Sequence, residues 1–362
     1  MAQAISNSNA PIRSTHAKSK AVKEAPRVPL KYSGSLDRFK SFDITPIIGR
    51  EFQDVQLSSL LSDDRKLRDL AILVSQRGVV FFRDQDLEID QQKVLGEKLG
   101  RLSGKPETSK LHRHAMTDKK AKRVVDGEPK PEEEVMVISS ENAKLAHQGH
   151  KSTLKPLAST LWHSDITFEH VPSDYAVLKM TVVPETGGDT IWASGYEAYD
   201  RLSPAWKRFA ESLTATHHNA TLKKAAKEGG GDLISGDRGS PDNGGLDFEA
   251  SHPVVRTNPV TGWKSLMAAG HQVHDGRFNN VTPREDEILK SYFLQLIAEN
   301  HDLQVRFKWR TNDIAIWDNR SCFHTATFDY DANRSGNRIV SIGEKPYLDP
   351  KSTGRRFALA KL

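Results

Sequence analysis

The sequence predicts a mixed α and β fold that is mainly β, with a sandwich or barrel of short strands and helices packed outside it. The first reason is a series of short strand-like runs bounded by Gly, Pro, Asn and Asp. These runs are DYAVLKMTVV, DTIWAS, SHPVVRT, LQVRFKW, DIAIWD, SCFHTATF and RIVSIG. The second reason is a set of helical patterns with clear start or stop signals before and between the strands.

The helices and the first strand can be placed in order along the chain. Residues 63–78 repeat apolar side chains at helical spacing and end at a glycine, and residues 88–102 have a second helical pattern. Between them, residues 79–84 begin with an apolar run that is typical of a buried strand. Two later helices should begin at capping residues, because Ser203 precedes a proline and Thr282 opens a capping box.

The composition favours one domain between two tails. Residues 1–35 show no apolar periodicity and are predicted to be disordered, residues 36–350 form the domain, and residues 351–362 form a C-terminal tail. Two segments resemble mobile inserts. Residues 116–158 are polar and dense in charge, and residues 221–250 contain seven glycines, as lids and disordered loops often do.

The net charge of +5 lies in the N-terminal tail. Residues 1–35 contain six basic residues and one acidic residue, so the rest of the chain is formally neutral. This distribution does not predict a nucleic-acid surface. No apolar run reaches the roughly 18 residues that a transmembrane helix requires. We therefore expect neither a nucleic-acid nor a membrane partner, with a homo-oligomer left open.

The single cysteine, Cys322, excludes internal disulfides and fits a reducing compartment, so the predicted location is cytoplasmic. The acidic-poor N-terminus has weak transit-peptide character. The last three residues, Ala360, Lys361 and Leu362, are a variant of the Ser-Lys-Leu ending of peroxisomal proteins. A peroxisomal location is therefore the alternative.

A histidine and an aspartate stand two positions apart in LWHSDITFEH, residues 161–170. This segment alternates like a strand, in which residues i and i+2 face the same side, so His163 and Asp165 would project together. A second histidine, His324, would complete the two-histidine, one-carboxylate set of non-haem Fe(II) oxygenases. The alternative is that the His-x-Asp triplet is accidental and that His324 is a core histidine bonded to the backbone.

Two arginines and one threonine accompany this set. Arg334 and Arg338 lie four residues apart in an extended stretch and would face the same way, where each would need an anionic partner if it were buried. Their alternative is a pair of surface ion pairs. Gly187 and Gly188 predict a tight turn, after which Thr190 opens the return strand and could donate its hydroxyl to a bound acid.

Five motifs in order and spacing resemble the taurine dioxygenase family of Fe(II)/2-oxoglutarate oxygenases, in particular its fungal branch. They are WHSDITF, TGGDTIWASGYEAYDRLSP, HPVVRTNPVTGWKSL, WDNRSCFHTA and RIVSIGEKPY. The resemblance runs from about residue 40 to residue 348 and is strongest from residue 161 onward. It implies a double-stranded β-helix, or jelly roll, flanked by helices.

The resemblance also implies the residues of the metal and co-substrate site. His163, Asp165 and His324 match the iron ligands. Thr190 matches the threonine that contacts the 2-oxoglutarate carboxylate, and Arg334 matches the arginine that pairs with its distal carboxylate. The implied reaction consumes 2-oxoglutarate and O2, releases succinate and CO2, and oxidises a C–H bond, with ascorbate as the expected reductant in vitro.

On the substrate side, the resemblance is looser. Arg338 matches the arginine that holds the sulfonate of taurine, and His114 matches a substrate-side histidine. Thr117 and Ser159 replace a tyrosine and an asparagine of the taurine enzyme, and both changes remove groups from the sulfonate pocket. We therefore expect a small anionic or zwitterionic substrate, either a sulfonate or an amino or carboxylic acid, rather than taurine itself.

Hydroxylation is the expected outcome, because Asp165 retains the carboxylate that related halogenases lack. Desaturation or ring closure by the same oxidant, as in secondary metabolism, is an alternative. A second hypothesis is a non-catalytic jelly-roll protein that binds a metal or a 2-oxo acid. A third, a zinc hydrolase, would lack an evident general base and would leave Arg334 without a role.

Overall fold

The computed structural model describes residues 28–116, 122–125, 128–140, 157–229 and 232–361. The helices and strands that follow lie within these ranges. The α-helices are Asp64–Arg77 (α1), Ile89–Leu102 (α2), Gly195–Asp200 (α3), Pro204–Ser212 (α4), Thr221–Gly229 (α5), His271–Asp275 (α6), Pro283–Ala298 (α7) and Arg355–Leu359 (α8). The strands are Ser41–Asp43 (β1), Arg50–Phe52 (β2), Val79–Phe82 (β3), Lys122–Val125 (β4), Glu128–Pro131 (β5), Val135–Ser139 (β6), Ser173–Val182 (β7), Thr190–Ser194 (β8), Thr214–His218 (β9), Glu249–Pro253 (β10), Val255–Thr257 (β11), Lys264–Leu266 (β12), Arg277–Phe278 (β13), Gln304–Phe307 (β14), Ile314–Asp318 (β15), Cys322–Ala326 (β16) and Ser335–Ile342 (β17).

Two sheets form the walls of the main core. The larger has the strand order β1-β2-β3-β15-β7-β17-β6, and the smaller has the order β14-β8-β16. Neighbouring strands in both are antiparallel, except that β2 and β3 are parallel. Phe81 of the larger sheet stacks on Phe307 of the smaller at 4.1 Å between ring centroids and meets Trp192 at 5.3 Å. These facing sheets, with helices outside them, confirm the predicted jelly roll.

The strand β15 shows how the sequence pattern builds two layers. Ile314 and Ile316 pack with residues of α1 and α2 on the outer face of the large sheet. Ala315 and Trp317, which alternate with them, belong to the core between the two sheets. All four are buried. A strand covered on both faces needs apolar residues at successive positions, and this explains the unbroken run that the sequence shows.

The predicted helix boundaries are confirmed by their caps. Asp63 accepts a hydrogen bond from the backbone of Lys66 at the start of α1, and Gly78 follows its end with φ +76°. Ser203 caps α4, and Thr282 forms the capping box of α7. Within the described residues, no helix is long and apolar enough to cross a membrane.

The predicted N-terminal tail ends earlier than residue 35. The Leu30 N–H donates to the Val260 carbonyl at 2.8 Å. Ser33 and Ser35 each donate from backbone and side chain to the buried carboxylate of Asp69 on α1. Residues 28–35 are therefore not a disordered tail, because the Asp69 carboxylate could not be buried without hydrogen-bond donors of this kind. The rest of the predicted tail, residues 1–27, lies outside the described residues.

The predicted C-terminal tail and the second predicted insert both contain regular structure. The segment predicted as a C-terminal tail contains α8, in which Arg356 pairs with the buried Glu197. Residues 221–250, predicted as a mobile insert, contain α5 and a loop that is anchored by the buried Arg238. Of the other predicted insert, residues 117–121, 126–127 and 141–156 lie outside the described residues, and β4, β5 and β6 lie between and beside them.

Candidate active site

The three predicted metal ligands meet at one end of the jelly roll. His163 and His324 form an isolated antiparallel bridge, with backbone hydrogen bonds of 3.1 and 2.8 Å in the two directions. The Nε2 atom of each histidine lies 3.8 Å from Oδ1 of Asp165. One potential ligand atom from each residue lies within 4.8 Å of the others. The structure therefore brings together the set that the sequence suggested.

The geometry that joins His163 to Asp165 is not the predicted strand. Only His163 makes a strand-like bridge, and the chain then turns from Asp165 onward, with Ile166 at φ +50°. The Asp165 N–H donates to the Asn319 side-chain oxygen at 3.2 Å instead of to a neighbouring strand. The strand prediction for residues 161–170 was wrong because alternation alone cannot show that a pairing strand is present.

The turn between β15 and β16 fixes both His324 and Asp165. Arg320 and the buried carboxylate of Asp318 close this turn through two side-chain hydrogen bonds of 2.8 Å. Within it, Asn319 accepts hydrogen bonds from the Asp165 backbone and from the Trp317 indole, at 3.2 and 2.9 Å. Asn319 is thus a positioning residue whose role sequence reasoning missed.

The electrostatics of the set suit a divalent metal. Burial lowers the pKa of His163 to about 3 and that of His324 to about 4, with His324 adding to the shift of His163. Burial alone would raise the pKa of Asp165, but Arg338 and the two histidines outweigh it and lower that pKa below its ordinary value. At neutral pH, the set therefore offers two neutral imidazoles and one carboxylate, as a non-haem iron site requires.

The individual atoms fit this use. His163 turns Nδ1 toward the Leu161 carbonyl at 2.8 Å, which leaves Nε2 free to bind a metal. Oδ2 of Asp165 is buried and has no hydrogen-bond partner in the described part of the chain. A buried carboxylate that lies beside two imidazoles through Oδ1 and leaves Oδ2 without a hydrogen-bond partner among the described residues has the donor chemistry of an Fe(II) site, so the residues fit this metal.

Thr190 and Arg334 meet on one side of the set. Gly187 and Gly188 make the predicted turn with φ of +77° and +70°, and Thr190 is the first residue of β8. The Arg334 guanidinium donates to the Gly188 carbonyl at 2.8 Å and to the Thr190 hydroxyl at 3.4 Å. Burial lowers the pKa of Arg334, and no ion pair to a carboxylate forms within the described residues. A buried cation held in this way requires an anion.

Arg338 lies in β17, directly beside the metal ligands. Its Nη1 donates to Oδ1 of Asp165 at 2.6 Å, and its Nη2 lies 2.8 Å from the sulfur of Met136. Arg334 and Arg338 line the same cavity, as predicted, although Arg334 precedes β17 and the register shifts after Ser335. Neither arginine is a surface ion pair.

His114 lines the cavity as well, and its Nδ1 lies 2.9 Å from the Met116 carbonyl. Of the two predicted departures from the taurine enzyme, Thr117 lies outside the described residues and Ser159 is exposed.

Two histidines that sequence reasoning missed share this cavity. His112 is buried, and its Nε2 lies 3.8 Å from Oε1 of Glu169. The ring of His271 lies 4.9 Å from that of His163, and burial together with His163 lowers the pKa of His271 to about 3. The only available signal was the His-x-His spacing of His112 and His114.

The cavity has a volume of about 310 Å³ and extends from the metal set across a largely apolar wall. Met136, Ile166, Phe168 and Leu178 come from the strands and the turn, and Leu222 comes from α5. The site thus joins three candidate metal ligands, two arginines and a largely apolar wall. Cys322 is buried in the core between the two sheets.

Comparison with known proteins gives a consistent result. Residues 40–340 match the family model described as taurine catabolism dioxygenase TauD, TfdA family. The chain is 48% identical to the alpha-ketoglutarate-dependent dioxygenase btcD of Neocamarosporium betae, over 91% of this chain and 98% of that protein. It is 30% identical to an alpha-ketoglutarate-dependent sulfonate dioxygenase of Saccharomyces cerevisiae, over 88% of this chain and 70% of that protein. The crystal structure of a taurine dioxygenase from Burkholderia xenovorans superimposes with a TM-score of 0.61 at 26% identity, over 88% and 94% of the two chains.

Proposed function

Because the chain belongs to the TauD, TfdA family and is an alpha-ketoglutarate-dependent dioxygenase, we propose that it holds Fe(II) on His163, Asp165 and His324. We further propose that it hydroxylates a C–H bond of a small anionic or zwitterionic substrate. The observation that carries this proposal is the meeting of the three ligands with two arginines in one cavity.

The metal would bind the Nε2 atoms of His163 and His324 and the carboxylate of Asp165. When bound, Fe(II) supplies the oxidative decarboxylation of 2-oxoglutarate by O2 to succinate and CO2, and with it the oxidation of the substrate. The three side chains are suited to this before any metal binds, because their lowered pKa values keep them deprotonated at neutral pH. Asn319 keeps Asp165 in place through the backbone.

Arg334 and Thr190 would hold the distal carboxylate of 2-oxoglutarate. The guanidinium is buried, is oriented by the Gly188 carbonyl, and donates a hydrogen bond to the Thr190 hydroxyl. The Trp309 indole donates to the same hydroxyl at 3.0 Å, which directs the hydroxyl's own proton elsewhere, toward an acceptor such as a carboxylate. An arginine fixed in this way matches a carboxylate with little loss of entropy.

The substrate would place its anionic group toward Arg338 and His114. The apolar wall formed by residues such as Phe168 and Leu222 would then surround its carbon skeleton and keep water from the reacting bond. A sulfonate, an amino acid or a carboxylic acid would suit this arrangement. The sulfonate dioxygenase among the relatives supports an anionic substrate.

Succinate release by the purified protein tests the proposal. The assay would contain Fe(II), 2-oxoglutarate, O2 and ascorbate, the reductant we propose, with a panel of alkylsulfonates and amino acids. Stimulation by one class should be absent in His163→Ala and retained in His301→Ala, an exposed histidine outside the site. Equal succinate release from wild type and His163→Ala, or activity with Zn(II) that needs no O2, would contradict the proposal. Product analysis by mass spectrometry would separate hydroxylation from desaturation or ring closure.

We also propose a cytoplasmic location, which the single, buried Cys322 supports. The Ala360-Lys361-Leu362 ending keeps a peroxisomal location as the alternative. Fluorescence of a fusion with and without these three residues would decide between them, since peroxisomal puncta should disappear on their removal.

A further inference from the structure

One oxygen of Asp165 faces three other groups. Oδ1 lies 3.8 Å from Nε2 of His163, 3.8 Å from Nε2 of His324 and 2.6 Å from Nη1 of Arg338. A metal on the proposed site and the Arg338 guanidinium would therefore both bind the same carboxylate. This inference rests on the proposed function, because it takes the three residues as metal ligands.

The surroundings make this sharing unfavourable. The side chains of Asp165 and Arg338 are 3% and 12% exposed, so salt and water would screen the repulsion between two cations only weakly. A carboxylate carries one negative charge, which cannot neutralise both a divalent ion and a guanidinium. The cation with the weaker alternative partners would therefore lose more of its interaction with Asp165.

Arg338 is poorly held by anything except Asp165. Its second contact is the sulfur of Met136, a weak acceptor. Its Nε is buried and has no hydrogen-bond partner among the described residues. A guanidinium with a free N–H and one neutral contact is ready to accept a bidentate anion in place of Asp165.

We propose that Arg338 and the metal compete for Asp165, and that an anion bound by Arg338 relieves this competition. The metal and the substrate anion would then each strengthen the binding of the other, since coupling between two sites is reciprocal. Arg338 thus links occupancy of the substrate site to the strength of the metal site, beyond its predicted role as an anion-binding residue.

A purely orienting role for Arg338 predicts a change of metal affinity in the opposite direction. If Arg338 served mainly to orient Asp165 toward the metal, its removal would weaken metal binding, as loss of a hydrogen bond to a ligand usually does. Competition predicts that the same change strengthens it. Metal affinity therefore separates the two without any need to know the substrate.

The experiment is a titration of the full chain with Mn(II), followed by electron paramagnetic resonance of the free ion, in the absence of 2-oxoglutarate. Arg338→Met should bind Mn(II) about tenfold more tightly than wild type, and Arg338→Lys should fall between them. Arg334→Met is the matched control, because it removes another buried positive charge from the same cavity without touching Asp165; its affinity should change less. Circular dichroism would confirm that each variant is folded.

Methanesulfonate and acetate serve as anion probes in a second titration. Either anion should tighten Mn(II) binding to wild type and should leave Arg338→Met unchanged. Equal or weaker binding of Mn(II) by Arg338→Met would overturn the competition, and no effect of either anion on wild type would overturn the coupling. If His163→Ala binds Mn(II) as well as wild type does, the proposed metal site itself fails, which is a separate result.

Discussion

Glu169→Gln should destabilise the protein, because it would leave the buried Arg238 without its carboxylate. The two side chains are 3% and 1% exposed, and hydrogen bonds of 2.5 and 2.8 Å join them. Arg238 also donates to the carbonyls of Ile234 and Gly245, so its guanidinium cannot swing into solvent without breaking the loop. The pair joins the second insert to the segment that follows the Asp165 turn.

The expected loss of stability follows from the burial of both side chains. Removal of one partner from a buried ion pair typically costs about 3–5 kcal/mol, because the other charge remains desolvated. A chain of this length has an unfolding entropy of about 0.7 kcal/mol/K, so the melting temperature should fall by about 4–7 °C. Arg238→Met should cost a similar amount. The exposed pair of Arg284 and Glu287 provides the control, since Arg284→Met should cost less than about 0.5 kcal/mol.

A double-mutant cycle measured by urea unfolding would test the pairing itself. The double variant Glu169→Gln with Arg238→Met removes both charges, so it should be about 2–3 kcal/mol more stable than the sum of the two single losses predicts. Tryptophan fluorescence would follow unfolding, and hydrogen exchange of residues 232–248 should increase in the single variants. Single variants within about 1 kcal/mol of wild type, or strictly additive losses, would refute the reasoning.

Two further predictions concern the site, and a third concerns the pH dependence of folding stability. Arg334→Met should weaken 2-oxoglutarate binding about 10- to 150-fold while Fe(II) still binds, as the visible charge-transfer band of the anaerobic complex would report; an unchanged affinity would remove Arg334 from the co-substrate site. Asn319→Ala should weaken Mn(II) binding about 10- to 100-fold, because Asp165 loses its backbone anchor, whereas a purely structural role would lower the melting temperature alone. Burial lowers the pKa of His252 to about 3, so below pH 6.5 the unfolded chain binds this proton and the folded chain does not. The free energy of unfolding should therefore decrease as the pH is lowered, by about 2 kcal/mol between pH 7 and pH 5 for this residue. In urea unfolding, His252→Gln should show a correspondingly flatter pH profile, and an unchanged profile would contradict the assignment.

The features that the sequence by itself determined are those with local causes. Ser203 and Thr282 predicted where helices begin, because a cap is satisfied by backbone groups within three residues. Gly187 and Gly188 predicted the turn before Thr190, because positive φ is a property of the residue itself. The resemblance of five motifs to the taurine dioxygenase family implied the jelly roll and the iron ligands, and the order of those motifs can also be seen in the sequence alone.

Only the tertiary structure decided how these residues are held and what surrounds them. The alternation of residues 161–170 suggested a strand, yet the Asp165 backbone bonds to the side chain of Asn319, 154 residues away in the chain. Arg238 stands in a glycine-rich stretch and becomes a buried anchor only because Glu169 meets it across 69 residues. Arg338 touches Asp165 across 173 residues. Burial and the pairing of charges depend on which distant segments the fold brings together, and no window of sequence contains that information.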